Sequence, residues 1–496
     1  MRNKTYKGSV LVYALGIVTF VSILLVGLVQ LIASQARSGY DAVAREKAFQ
    51  MAEACSNEYR WYLAHNTDGH TIEEVAEFWS ETDPKPRGLD EPYTWDVKTS
   101  AGTTIGYCSA LITNATVSTN TPIVVEFEAS SLDNPNIKKK IKVRFRRTSW
   151  SDYVVLSNEY ANFDSNWDIK GRIMSNTGVR FDGISHGRVY AGSSTYFDPI
   201  TGQDHVGVWS SQPLGVFPLP NCEYNADKSS CVFLGGKKFP VPQKDFAGIA
   251  VDLNVMKKYA QAPNDTIVNN CLDDHCYFNV PAGKAGKHLT LRTDGQFDIV
   301  TVKDVKNNSN DIKNEDAATK QTKTIPDDGI IFVGGNVWVD GTVDGDRVTI
   351  AAGEGVGDIY IGSGNLRYTN RDGTDAVGLI AKRNILLTSE KKNCGADCDD
   401  LEIDAAMVAK DGMIGKQDFN PHCCGGGCEV QKNRLDLYGS VVSNKFIEFT
   451  ASKDCNGTDK VGFQVKNIEY DNFLYMNPPP FFPSDVYYTI DLWNEL

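Results

Sequence analysis

Basic charge is scarce in this chain: 50 lysines and arginines stand against 63 aspartates and glutamates, giving a net charge of −13 and a pI near 5.1. A nucleic-acid partner is therefore not expected, because neutralising phosphates needs a basic surface. Histidine is scarcer still, seven scattered residues in 496. No His-Glu-x-x-His pair, Gly-x-Ser-x-Gly elbow or phosphate-binding glycine loop occurs, so no cofactor and no catalytic residue is expected. Proline is missing before Pro84, and no charged residue interrupts Val10 to Ala33. Nothing in the first 65 residues breaks a helix.

The uncharged run is about 24 residues long, enough to cross a hydrocarbon core of ~30 Å. Arg2, Lys4 and Lys7 precede it, so the positive-inside bias holds the N-terminus in the cytoplasm and sends the rest outward. A cleavable signal peptide has a shorter apolar region, and Ser34-Gln35-Ala36 only imitates its cleavage site. Helical character continues past the apolar run through Ala42, Ala44, Ala48, Phe49, Met51 and Ala52, spaced among charges. One helix from Ser9 to near His65 is the expectation, about 80 Å long at 1.5 Å per residue.

A basic leader ending in Lys7-Gly8, an apolar half-helix and an amphipathic half-helix together resemble type IV pilins and pseudopilins. The phrase Ala48-Phe49-Gln50-Met51-Ala52-Glu53-Ala54 is similar to PilX-type minor pilins, with Cys55 where a glycine is common. The resemblance implies that a prepilin peptidase cuts between Gly8 and Ser9, that Ser9 is then N-methylated, and that the helix packs with other pilins in a filament core. It also implies contact with inner-membrane assembly machinery and a passage from the cytoplasmic membrane to an extracellular pilus. At the fifth mature position, where major pilins carry glutamate, this chain has Tyr13. An unpaired amine in an apolar core is costly, which favours a rare subunit at the tip, with no neighbour above it. An uncleaved anchor holding a surface adhesin is the alternative.

Residues 66–147 read as a short helix (TIEEVAEFW) and strands TIGYCSALITNATV, PIVVEFEASS and KKKIKVRFRR. This small antiparallel sheet needs an apolar cover, and the outer half of the long helix is available. The basic run Lys138, Lys139, Lys140, Lys142, Arg144, Arg146 and Arg147 alternates with Ile141, Val143 and Phe145 in its second half, the pattern of a half-buried strand with a basic outer face. Twelve cysteines behind an exported N-terminus indicate an oxidising compartment. Cys55 and Cys108 are candidates to staple helix to sheet.

From Trp150 onward helix signals nearly vanish, apart from Phe246 to Tyr259. A corner recurs at Ile173–Val179, Leu379–Ile385, Met407–Met413 and Val441–Ile447: two apolar residues, a small one, a polar one, two more, then an apolar one. Stacked corners of this kind build a β-solenoid, with a β-sandwich as the alternative. The phrases SDYVVLSNEYANF with GRIMSNTGVRF, GIIFVGGNVWVDGTV with VTIAA, and YDNFLYMNPPPFFP resemble β-helical ectodomains that follow PilX-type N-termini. The expected class is α+β: leader 1–8, pilin helix 9–65, small antiparallel domain 66–147, all-β ectodomain 148–477 of β-solenoid/β-helix type, and a Pro/aromatic tail 478–496.

Some β-helices cleave polysaccharides with paired carboxylates, but Asp340, Asp344 and Asp346 flank glycines in turns, where aspartate serves local hydrogen bonds. Calcium in Asp372-Gly373-Thr374-Asp375 is weakly signalled. Cys222 with Cys231, and Cys271 with Cys276, are close pairs suited to short loops. Cys394, Cys398, Cys423, Cys424, Cys428 and Cys455, with His422 beside them, form either a disulfide knot, which the exported location favours, or a zinc site. The reading that follows is a structural minor pilin that primes assembly or contacts a surface or host ligand, with an exported polysaccharide-active enzyme as the rival from another class.

Overall fold

The computed structural model describes residues 9–496 apart from 68–69, 71, 114–121, 213–230, 247–252, 262–268, 273–274, 307–309, 389–398, 417–430, 450–451, 454–458 and 476. The leader, including Gly8, and Cys222, Cys394, Cys398, Cys423, Cys424, Cys428 and Cys455 lie outside the described residues, as does His422.

Helix α1 runs unbroken from Ser9 to Thr67, two residues beyond the expected end. Its second half turns one stripe inward, Ala44, Ala48, Ala52, Cys55, Tyr59 and Leu63, spaced three or four residues apart and nearly all fully buried. After α2 (Ile72–Ser80) come β1 (Tyr93–Lys98), β2 (Thr104–Ile112), β3 (Ile123–Ser131) and β4 (Lys138–Ser149), antiparallel neighbours in that order. Alternation places Ile123, Val125, Phe127, Ile141, Val143 and Phe145 under the helix stripe in one core. The outer face of β4 carries Lys138, Lys140 and Lys142, which pair with Glu128 and Glu126 of β3.

The sheet has a fifth strand. Ser484–Glu495, expected as part of a separate tail over 478–496, pairs antiparallel with β4 and ends the sheet. The reason is visible once the prolines stop at Pro483: VYYTIDLW is a β-prone run, and Tyr488 is buried in the core. The whole β region from Trp150 to Pro483 is therefore inserted between two adjacent strands of the small domain.

Within that region strand pairing is dominated by parallel ladders, which stacked turns require and a sandwich of antiparallel sheets does not. The first ladder joins 277–279, 330–334, 347–352, 376–381, 406–409, 441–443, 155–157, 173–175, 189–191 and 237–238. A second passes from 287–291 through 337–339, 359–361, 385–387, 414–416, 447–448, 161–163 and 179–181 to 208–209. The third includes Leu366, Ile403, Leu437, Ile468, Ile169 and Ser185. The four recurring corners stand in register on the first ladder, Leu379 beside Met407 beside Val441, then Val155 and Ile173.

Stacking order differs from chain order. The chain starts in the middle of the stack at 155–170, builds toward 237–238, restarts at the opposite end near 275–291, and builds back until 441–470 meets 155–170. Returning chain covers the outer side of the first ladder: Phe246 and, on α3 (Leu253–Ala260), Leu253, Met256 and Ala260 pack over Phe332, Ile380, Val408, Val442 and Met174. Both sides of that ladder are buried, so its strands read as continuous apolar runs such as IIFV and AAMVA, without alternation. Where the third ladder turns into the first, Gly171, Gly187 and Gly235 are stacked so closely that a Cβ on Gly187 would lie 1.8 Å from the Gly171 carbonyl oxygen and one on Gly235 2.3 Å from the Gly187 carbonyl carbon. At the restarting end, Gln296–Val305 and Ile312–Thr324 continue antiparallel from Gly286–Leu291 and cover its edge.

Candidate assembly interface

The first half of α1 has no cover. Its large apolar side chains from Val10 to Ile32 are between 45% (Val21) and 74% (Tyr13) exposed, on all sides of the helix. A helix apolar all round needs an apolar environment, either lipid or other helices, because nothing in its own sequence supplies a solvated face. Ser9 begins this helix, and Tyr13 stands one turn further on. Charges enter only from Arg37, and Lys47 pairs with Asp133 of the β3–β4 turn at 2.7 Å, where the small domain begins to hold the helix.

That hold is firm. Small alanines let the helix approach the sheet closely, and Cys55 bonds to Cys108 of β2 across a Cα separation of 6.0 Å. Tyr59 places its ring 5.5 Å from Phe127 and 5.6 Å from Phe145, and its hydroxyl donates to the Arg87 carbonyl at 2.7 Å. Burial, with neighbouring Tyr62 and Tyr488, pushes the Tyr59 hydroxyl far above its ordinary pKa, so it stays a donor. Cys271 and Cys276 bond within a hairpin, and Cys231 is also disulfide-bonded.

The two β regions meet at a buried charge cluster. Asp491 on the last strand accepts from Arg144 at 2.8 and 3.0 Å and from Arg146 at 2.9 Å. Arg146 also makes a bidentate pair with Asp152, at 3.1 and 3.0 Å, and lies 3.9 Å over the Tyr475 ring. Desolvation holds the Asp152 carboxyl above its usual range, opposed by Arg146. Arg147 donates to the carbonyl of Thr67 at the end of α1. The basic run seen in the sequence is thus spent on β3 glutamates, on Glu495 of the last strand and on this junction. Asp491 and Asp152 were not foreseen, since only the strand pairing brings them to the arginines.

Of the acidic candidates, Asp344 and Asp346 gather with Asp375, and Asp340 stands apart from them. Asp340 meets His288 at 3.0 Å, and His288 meets Glu315 at 2.7 Å on its other side. Asp344 accepts from Asn370 and Asp375 from the backbone of Gly345, bonds that join two turns, while Asp375 also accepts from the backbone of Asn370 and Asp372 from Thr374 within one turn. Asp346 is raised by desolvation and by Asp375 and Asp344. Among the described residues no group of three or more His, Cys, Asp or Glu is placed to hold a metal ion. The six clustered cysteines, Cys394, Cys398, Cys423, Cys424, Cys428 and Cys455, lie outside the described residues.

No family model matches this chain, and no curated protein does. Among solved structures the chain is similar to the competence-associated pilin ComZ from Thermus thermophilus, at 12% identity over 91% of this chain and 97% of that one, with a TM-score of 0.26, a superposition too loose to carry an argument.

Proposed function

We propose that this chain is a structural, non-enzymatic minor pilin or pseudopilin of PilX type. The observation that carries the reading is α1 itself: one helix, apolar and uncovered along its first half, locked along its second half to a small sheet by a side-chain stripe and a disulfide. In this reading the prepilin peptidase removes Met1 to Gly8, Ser9 becomes the methylated N-terminus, and the apolar half moves from membrane to filament core among other pilins. The stacked ladders form a β-solenoid displayed outward for assembly priming or surface contact. Tyr13 supports a terminal position, since a tip subunit has no neighbour whose N-terminal amine must be paired.

Tyr13 equally favours a second reading, a surface protein that keeps its leader and stays in the membrane. Mass determination of the mature N-terminus separates the two: loss of residues 1–8 with a methylated Ser9 supports the pilin, and an intact Met1 in the membrane fraction supports the anchor.

A further inference from the structure

The three faces of the ladder region are not alike. Returning chain covers the first, and Val302 and Ile312 cover Trp338 and Tyr360 on part of the second. On the third, inward residues Leu401, Ile403, Leu435, Leu437, Ile468, Trp167 and Ile169 are buried, while Lys170, Glu469, Arg434 and Arg371 reach solvent with side chains about half exposed. A groove of about 410 Å³ runs along this face. It crosses four successive levels of strand, about 14 Å at the ordinary interstrand spacing.

Its chemistry is polar and nearly neutral. Lys170 pairs with Glu469 at 3.0 Å, Arg434 with Asp436 at 2.6 Å, and Asn467 donates to Asp436 at 2.7 Å. Each of these cations is balanced by a carboxylate, Lys170 by Glu469 of the neighbouring strand and Arg434 by Asp436 of its own, so the groove offers little net field to draw in a polyanion or polycation. What it does offer is a row of donors and acceptors, Glu402, Arg434, Asp436, Asn467, Glu469 and Lys170, beside the Tyr438 side chain, with Arg371 stacked 4.3 Å over its ring. An uncharged ligand rich in hydroxyls, extended along one axis, satisfies such a row without separating its ion pairs.

We infer that this face binds a linear, neutral polysaccharide along the stacking axis. The inference deepens the surface-contact part of the proposed function and is independent of its filament part, because glycan binding and leader removal are read by different measurements. The groove is completed where the last turn, carrying Asn467 and Glu469, meets the first, carrying Lys170.

The test uses full-length protein in detergent micelles, titrated with short linear glucan, galactan, mannan and N-acetylglucosamine oligomers, with heparin as the polyanion. Saturable binding to at least one neutral series is expected, insensitive to salt, and weakened roughly tenfold by Asn467→Ala. Asp436→Asn keeps the shape of the groove but removes the carboxylate that holds Arg434 and Asn467 in place. It is expected to weaken binding similarly, and a thermal melt of each variant checks that the fold is retained. Binding of heparin alone, binding to none of the neutral series, or neutral binding unchanged in both folded variants overturns the inference.

Discussion

Asn158 donates from its side-chain amide to the amide oxygen of Asn444, 2.9 Å away in space and 286 residues later in the chain. Asn176 then donates to Asn158 at 2.8 Å, so three stacked turns share one asparagine ladder. The ladder crosses the seam where the last turn closes on the first. At another corner of the same seam, fully buried Lys466 reaches Asp164 at 2.6 Å. Half-buried polar pairs of this kind penalise a slipped register, because slippage strands a charge or an amide without a partner.

Replacing Asn158 by Ala removes a donor to one neighbour and an acceptor from the other. A loss of about 1–3 kcal/mol is expected, larger than for Asn444→Ala, which leaves the Asn176–Asn158 bond intact. Denaturant unfolding of the full chain measures both, and equal effects would show that the central amide is not shared.

Asp491 ties the last strand to buried Arg146 and to Arg144, which is 12% exposed. Asp491→Ala leaves both without that partner, and a loss of about 3–5 kcal/mol is expected. Glu495→Ala removes a more exposed pair with Lys139 and is expected to cost under about 1 kcal/mol. Limited proteolysis between Pro483 and Glu495 is the companion measurement, with faster cleavage expected only in the Asp491 variant.

The Cys55–Cys108 bond closes a sequence separation of 53 residues. By loop entropy its removal costs about 4 kcal/mol. The double substitution Cys55→Ala, Cys108→Ala is therefore expected to lower the thermal midpoint of the small domain, while the ladder region, with its own core, changes little; hydrogen exchange resolved by segment reads both.

His288 gives a pH signature. Burial opposes its charge, but Asp340 and Glu315 together outweigh that and raise it from 6.5 to about 9. The folded state thus holds a proton that the unfolded chain releases near 6.5, so the contribution is complete below that pH and lost as pH rises toward 9. Stability of the parent is expected to fall across that window by an amount absent from His288→Gln; parallel curves for the two would show that the imidazole carries no linked charge.

Much of this architecture was legible, because local pattern and final contact coincide. The long helix follows from missing proline and missing charge. The corners at Leu379, Met407 and Val441 sit in one register because each pairs an inward residue with one covered by returning chain, then a small residue where the backbone turns. The copy starting at Val155, with Ser157 and Asn158 in the small and polar places, follows the same rule. The rest was not legible since it depends on distance along the chain: periodicity does not reveal that 155–170 stacks on 441–470, or that Ser484–Glu495 returns to β4. The Arg146 partners and the His288 triad were hidden for the same reason, being supplied by strands far away in sequence.

The most direct measurement for the central claim is the intact mass of the chain purified from the surface fraction of cells that carry the assembly system. The account predicts a mature N-terminus at Ser9, methylated, in sheared filament material, with both processing and incorporation lost in Gly8→Ala. A chain that begins at Met1, remains in the membrane fraction and is unaffected by Gly8→Ala would contradict it.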